Sequence, residues 1–158
     1  SEVIAYLLTW TTYGTWLRGD QRSWVDKRRA IPGTPFEATD PARVELNRQR
    51  MEESPVTLAS EARQAVDAAI RETCAYRSWE LHEVGVRSNH VHTVVTASVS
   101  PDRAIADLKA YGTRALNRLY PSANRSNWWT EGGSKRYLNS RESLLAAIEY
   151  VRNQDVPH

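Results

Sequence analysis

Cysteine is nearly absent from this sequence, and long apolar runs are missing. The 158-residue chain has one cysteine, Cys74, which excludes an internal disulfide and favours a reducing compartment. No run approaches the roughly eighteen apolar residues that a membrane span needs, and the first residues show no signal-peptide pattern. We therefore expect a cytoplasmic protein with no membrane partner.

A large net charge is lacking as well. The net charge is only +2 at pH 7, so total charge gives little argument for a nucleic-acid partner. The basic residues are unevenly divided, because 18 of the 21 are arginine and only Lys27, Lys109 and Lys135 are lysine. The rigid guanidinium fork suits phosphate and stacks on bases, although a GC-rich genome would produce the same bias.

The apolar pattern predicts one α+β domain over residues 1–158. Strands are predicted at 3–12, 79–87, 90–97 and 134–139, and helices at 60–76, 101–120 and 141–154. Residues 13–56 form a long insertion with a short helix near 41–52. This order predicts a split βαβ fold, that is, a ferredoxin-like or RRM-like antiparallel sheet with covering helices and an extra C-terminal helix.

Two of the four histidines stand together in the predicted strand "VRSNHVHTVV". Side chains two residues apart leave the same face of a strand, so His90 and His92 point together. Val91 and Val94 are expected on the opposite, core-facing side. Two neutral imidazoles placed in this way can bind one metal ion. An alternative is that both are polar residues on a solvated face.

The C-terminal helix carries a second pair of polar residues. Leu144, Ile148 and Val151 form its apolar stripe, and Tyr150 and Gln154 lie one turn apart on the flank of that stripe. An amide oxygen is a plausible third ligand for a hard ion, and a phenol oxygen beside it is a plausible nucleophile. Alternatively, the tyrosine packs its ring at the edge of the core.

A His-hydrophobic-His strand followed by a helix with tyrosine and, four residues later, glutamine resembles the single-tyrosine HUH transposases of small insertion sequences. The stretches "LLTWTTYGTWLRGD" and "SNHVHTVV" are similar to the REP-associated tyrosine transposases within this group. In many REP-associated members the position four residues after the tyrosine is asparagine. Gln154 instead matches the insertion-sequence pattern.

The resemblance implies a metal-dependent endonuclease and strand transferase that acts on single-stranded DNA with hairpins. His90, His92 and Gln154 would hold Mg²⁺ or Mn²⁺, which would polarise the scissile phosphate. Tyr150 would attack, giving a 5′-phosphotyrosine and a free 3′-hydroxyl. The protein would be a monomer or a homodimer, with the tyrosine serving the histidines of its own or a neighbouring subunit.

A set of basic and aromatic residues is predicted to contact the nucleic acid. It consists of Lys109, Arg114, Arg118, Lys135, Arg136, Tyr13 and Trp16. The basic members would follow the phosphates, and Tyr13 and Trp16, or else Trp128 and Trp129, would stack on unpaired bases. The alternative is a solvated charged face, which is the usual role of such residues.

Further alternatives stay open for the function and for the site residues. The same chemistry would also suit a replication initiator or a relaxase-like nickase. A non-catalytic single-stranded nucleic-acid-binding module is possible from the fold, but the aromatic patterns of RNA-recognition motifs are missing from the strands. Tyr111 is a rival nucleophile, and His82 is a further candidate ligand.

Overall fold

The computed structural model of the chain describes residues 2–15 and 53–154. The elements are β1 (Ala5–Thr11), α1 (Ser60–Tyr76), β2 (Glu80–Val86), β3 (His90–Thr96), α2 (Pro101–Leu119), β4 (Ser134–Leu138) and α3 (Arg141–Asn153). Each corresponds to a predicted strand or helix, with small differences at the ends. The short helix predicted near 41–52 and most of the 13–56 insertion lie outside the described residues.

The four strands form one antiparallel sheet in the order β2-β3-β1-β4. This order, with a helix between β1 and β2 and another between β3 and β4, is the predicted split βαβ arrangement. Strand β3, which carries both histidines of the pair, is hydrogen-bonded on both sides. The histidines are therefore on the interior of the sheet rather than on an edge strand.

The two faces of the sheet have separate cores. Helices α1 and α2 pack on one face over the larger core, which includes Leu8, Trp10, Val66, Ile70, Val91, Val95, Leu108 and Leu116. Helix α3 packs on the opposite face over a smaller core of Ala5, Leu7, Val94, Leu138, Ala147 and Val151.

The side assigned to Val94 from the sequence was wrong. Val91 lies in the larger core as predicted, but Val94 lies beneath α3. Strand residues alternate between faces, so Val94 shares the face of His92, two residues away. The histidine face of the sheet is thus partly apolar, and this apolar part gives α3 a surface on which to pack.

Serine caps fix where the last two helices begin. The Ser100 hydroxyl accepts a hydrogen bond from the Arg103 amide, with Pro101 in the first turn. Ser140 and Ser143 form a reciprocal capping box at the start of α3.

Among the described helices, none is both long enough and apolar enough to cross a membrane.

Candidate active site

The imidazole pair lies on the α3 face of the sheet between two small neighbours. Thr9 of β1 is paired in register with His92, and Gly85 of β2 is paired with it on the other side. His92 is buried, His90 is half-buried, and their ring centroids are 4.7 Å apart. The strand alternation inferred from the sequence therefore places both rings side by side.

Each imidazole has a partner at Nδ1. The Thr9 hydroxyl shares a hydrogen bond of 2.8 Å with Nδ1 of His92. Asn89 Oδ1 lies 2.8 Å from Nδ1 of His90, and because an amide oxygen only accepts, that nitrogen donates the proton. With Nδ1 engaged, Nε2 is the nitrogen of His90 that carries the lone pair. This tautomer is the one that presents Nε2 as a metal ligand.

Both imidazoles are held in the neutral form at pH 7. Burial lowers the pKa of His92 to about 4, with further lowering from His90 and Arg87 and an opposing contribution from the Gln154 amide. Burial also lowers the pKa of His90, against the Gln154 hydrogen bond and with the help of Arg87. Neutral imidazole is the form that ligates metal, so no proton has to leave before an ion binds.

Helix α3 places its polar flank against the same two rings. Tyr150 lies edge-on to His92 with the ring centroids 5.4 Å apart, and half of the tyrosine remains exposed. Gln154, the residue that follows α3 as its C-cap, lies near both imidazoles and raises their pKa values, against the effect of burial. The apolar stripe explains this placement, because burying Ala147 and Val151 turns the Tyr150–Gln154 flank toward β3.

The donor set fits a divalent cation. It consists of two neutral imidazoles and one amide, in a site half open to solvent through Tyr150. Such a set leaves coordination positions for water or phosphate. The described part of the chain contains no cluster of three or more histidine, cysteine, aspartate or glutamate side chains. A third donor beside the two histidines would therefore have to be of another type, such as the Gln154 amide.

Glu83 of β2 and Arg87, the residue that follows β2, form polar contacts with α3, and the sequence analysis did not single them out. Arg87, opposite His90 across the hairpin, donates from Nη2 to the Val151 carbonyl at 2.9 Å. Glu83 forms an ion pair with Arg152, 2.9 Å from Oε1 to Nη2. The signal was available in the alternation of β2, because 83 and 87 share a face with the residue paired to His92.

The predicted nucleic-acid residues are divided between the two faces of the sheet. Arg136 pairs in register with Leu7, so it lies on the histidine face and is exposed. Arg114 and Arg118 are exposed on α2, on the opposite face, where they line a groove of about 340 Å³ between α1 and α2. The structure therefore brings one of these three arginines to the side of the candidate site.

The two lysines of the set are engaged within the fold. Lys109 Nζ donates to the carbonyls of Thr130 and Gly132 at 2.9 and 2.8 Å, and burial lowers its pKa. Lys135 forms an ion pair of 2.6 Å with Asp102 in the first turn of α2. Both contacts hold the connection between α2 and β4 rather than presenting free ammonium groups on the histidine face.

The aromatic residues offered for base stacking are placed differently. Trp128 and Trp129 are buried in the larger core, and their indole nitrogens donate to Asn117 and to the Lys109 carbonyl, so the stacking role suggested for them was wrong. Tyr13 is half-buried against the same core, with the Arg125 guanidinium 5.7 Å from its ring centroid. Trp16 lies outside the described residues.

The remaining candidates lie away from the imidazole pair. His82 shares a hydrogen bond of 2.8 Å with Thr96, which is four residues, or roughly 13 Å, along β3 from His92. Tyr111 lies on α2 with the Arg114 guanidinium 4.6 Å from its ring centroid. The sheet stands between Tyr111 and the histidines.

A family model described as "Transposase IS200 like" matches residues 51–154, more than half of the chain. The chain belongs to this family. IS200-like transposases process DNA and are generally metal-dependent. The matched segment ends at Gln154 and contains the histidine strand and the tyrosine helix.

Two solved structures share the fold. A REP-associated tyrosine transposase bound to a REP hairpin is 12% identical, with a TM-score of 0.55 over 99% of this chain and 68% of its own. A protein from Deinococcus radiodurans R1, described as a transposase, is 16% identical, with a TM-score of 0.53 over 98% of this chain and 92% of its own. No curated protein matches the chain.

Proposed function

We propose that this IS200-like transposase cleaves and rejoins single-stranded DNA beside hairpins, with Tyr150 as nucleophile and a divalent ion held by His90, His92 and Gln154. The main support for the proposal is that Tyr150 and Gln154, at the end of α3, lie beside the two imidazoles of β3. Four side chains from two separate parts of the chain converge on one half-open site. If the histidines were only polar residues on a solvated sheet face, no such convergence would be expected.

The proposed reaction is a transesterification at phosphorus. The Tyr150 oxygen forms a bond to the scissile phosphorus as the P–O3′ bond breaks, giving a 5′-phosphotyrosine and a free 3′-hydroxyl. The phenolic proton is balanced by the proton gained at the 3′ oxygen. A later attack by a 3′-hydroxyl reverses the step, so no nucleotide cofactor is consumed.

Each residue has a defined task in this reaction. Thr9 and Asn89 orient the imidazoles through Nδ1, so that the Nε2 atoms face the ion. The half-exposed phenol of Tyr150 leaves room for a DNA strand to approach. Mg²⁺ or Mn²⁺, when bound, would neutralise and polarise the phosphate. These ions suit a site that keeps water and phosphate oxygen positions better than Zn²⁺ does.

The proposed substrate is single-stranded DNA with a REP-like hairpin. Support comes from the similarity of "SNHVHTVV" to REP-associated members and from the fold shared with a transposase bound to a REP hairpin. Arg136 is proposed to contact phosphate near the reacting bond, because it is exposed on the histidine face. Arg114 and Arg118 are proposed to hold a more distant part of the DNA. Such a substrate is consistent with action in the cytoplasm.

A covalent-adduct assay tests the proposed function. The protein is incubated with Mn²⁺ and a labelled single strand containing a hairpin, and then run on a denaturing gel. We expect a labelled protein band that is lost in Tyr150→Phe and in EDTA. Tyr137→Phe is the matched control, because Tyr137 is similarly exposed but lies on β4, against Tyr6 on the other face.

The same assay separates the competing functions. A module that only binds nucleic acid would retain the oligonucleotide in EDTA and give no covalent band with any variant. A nickase without hairpin preference would label equally with a hairpin-free strand. A band that persists undiminished in Tyr150→Phe would reject Tyr150 as the nucleophile.

A further inference from the structure

Helix α3 has few apolar contacts with which to hold its C-terminal turn. It is 13 residues long, and only Ala147 and Val151 are fully buried. A helix of this length is marginal by itself in water, so its position depends on tertiary contacts. Tyr150 and Gln154 lie in its last turns, where a helix readily frays.

Glu83 of β2 and Arg87, just after β2, contact the two residues that follow Tyr150. Arg87 Nη2 donates to the carbonyl oxygen of Val151 at 2.9 Å. Glu83 Oε1 lies 2.9 Å from Nη2 of Arg152. The Val151 carbonyl also accepts a hydrogen bond of 3.3 Å from the Gln154 amide, so the Arg87 guanidinium is a second donor to it. A guanidinium at the C-terminal end of a helix also interacts favourably with the helix dipole.

Gly85, between these two residues on β2, makes the arrangement possible. A Cβ added at Gly85 would lie 2.9 Å from Arg87 Nη2 and 3.1 Å from Cζ. The Arg87 guanidinium therefore lies back over Gly85, the residue paired in register with His92. Strand β2 and the residue after it thus supply a position without a side chain beside His92 and two side chains that contact α3.

We propose that Glu83 and Arg87 are positioning residues that hold the last turn of α3, and with it Tyr150 and Gln154, against the imidazole pair. The inference rests on the proposed function of Tyr150. In this proposal neither Glu83 nor Arg87 contacts the reacting atoms. Their effect is on the rate at which a bound strand is attacked, since small misplacements of a nucleophile are costly.

The test is single-turnover adduct formation at saturating DNA and Mn²⁺. Arg87→Met should lower the rate constant by about tenfold or more, and Arg87→Lys should recover part of it. Glu83→Arg and Arg152→Glu should each lower the rate constant by roughly a few fold. The double reversal Glu83→Arg/Arg152→Glu should restore it, because the ion pair is rebuilt with opposite polarity. The dissociation constants for DNA and Mn²⁺ should change little in the double reversal.

A matched control uses another surface ion pair. Asp67 and Arg71 form a 2.6 Å pair on α1, on the other side of the sheet, so Arg71→Glu should leave the rate constant unchanged. Urea unfolding midpoints identify any variant that loses stability instead of positioning. A purely structural role would lower the midpoint without rescue of the rate by the double reversal.

Hydrogen exchange makes the inference independent of activity. Amide exchange at the end of α3 should be faster in Arg87→Met and in Glu83→Arg than in the wild type. In Glu83→Arg/Arg152→Glu it should return to the wild-type rate. If wild-type protein forms no adduct, the proposed function fails. The exchange data alone then decide whether Glu83 and Arg87 hold the end of α3. If wild-type forms the adduct and Arg87→Met forms it equally fast, the positioning role is rejected.

Discussion

The Tyr150 ring lies edge-on to the His92 imidazole within one chain, with 5.4 Å between ring centroids and 70° between ring planes. The tyrosine comes from α3 and the histidine from β3, more than fifty residues earlier in the sequence. A single chain therefore brings all four proposed site residues together. This arrangement predicts that the tyrosine and the histidines of one active site come from the same chain.

Mixing two inactive variants should not restore activity. Tyr150→Phe lacks the proposed nucleophile and His92→Ala lacks a proposed ligand, so each should form no adduct alone. Because Tyr150 lies against His92 of its own chain, a mixture should also form none. The measurement is the covalent-adduct assay on a pre-equilibrated equimolar mixture. Recovered activity would show that the tyrosine acts on a neighbouring subunit.

Loss of either imidazole should weaken Mn²⁺ binding. We expect His92→Ala and His90→Ala to lower the affinity by about tenfold or more, and loss of the Gln154 amide in Gln154→Ala to have a smaller effect. Isothermal titration of the DNA-free protein with Mn²⁺ gives the affinities. His82→Ala is the control, since His82 hydrogen-bonds Thr96 and should leave binding unchanged. Equal binding by wild-type and His92→Ala would exclude this ligand set.

The stability of the metal-free protein should fall as the pH is lowered from 6.5 toward 4. The pKa of His92 is lowered to about 4 in the folded chain from an ordinary value of 6.5, so in this range the unfolded chain binds a proton that the folded chain does not. The free energy of unfolding then decreases with falling pH, by about 3 kcal/mol over the range for this group.

Urea unfolding in EDTA at several pH values measures this dependence. The variant His92→Gln removes the titrating group and should show a flatter curve between pH 6.5 and 4. Comparison of the two curves isolates His92 from the carboxylates, which titrate in both proteins. Parallel curves would mean that the burial of His92 does not control its protonation.

Arginines on the two faces should affect different steps. Arg136→Gln should lower both the affinity for DNA and the rate of adduct formation, because Arg136 lies on the histidine face. Arg114→Gln and Arg118→Gln should lower affinity only. Each lost phosphate contact should reduce the slope of log affinity against log salt by roughly 0.7 for a single strand. Binding by fluorescence anisotropy at several salt concentrations, with rates at saturating DNA, separates these effects.

Much of this molecule was determined by local sequence. Apolar periodicity located the strands and helices, Ser100 and Ser140 marked helix starts, and alternation placed His90 and His92 on one face. Helical spacing put Tyr150 and Gln154 on one flank of α3. These are short-range properties, because neighbouring residues on a strand or helix have fixed relative directions. The resemblance to the single-tyrosine HUH transposases rested on the same short motifs.

Only the tertiary structure decided how these elements meet. The side of Val94, the burial of Trp128 and Trp129, and the separation of Arg114 and Arg118 from the histidine face all depend on which helix covers which face of the sheet. So does the contact of Arg87 with Val151, which joins residues 64 positions apart. Which helix packs on which face of the sheet depends on how the apolar faces of all the elements are buried together. A local sequence pattern does not contain that information.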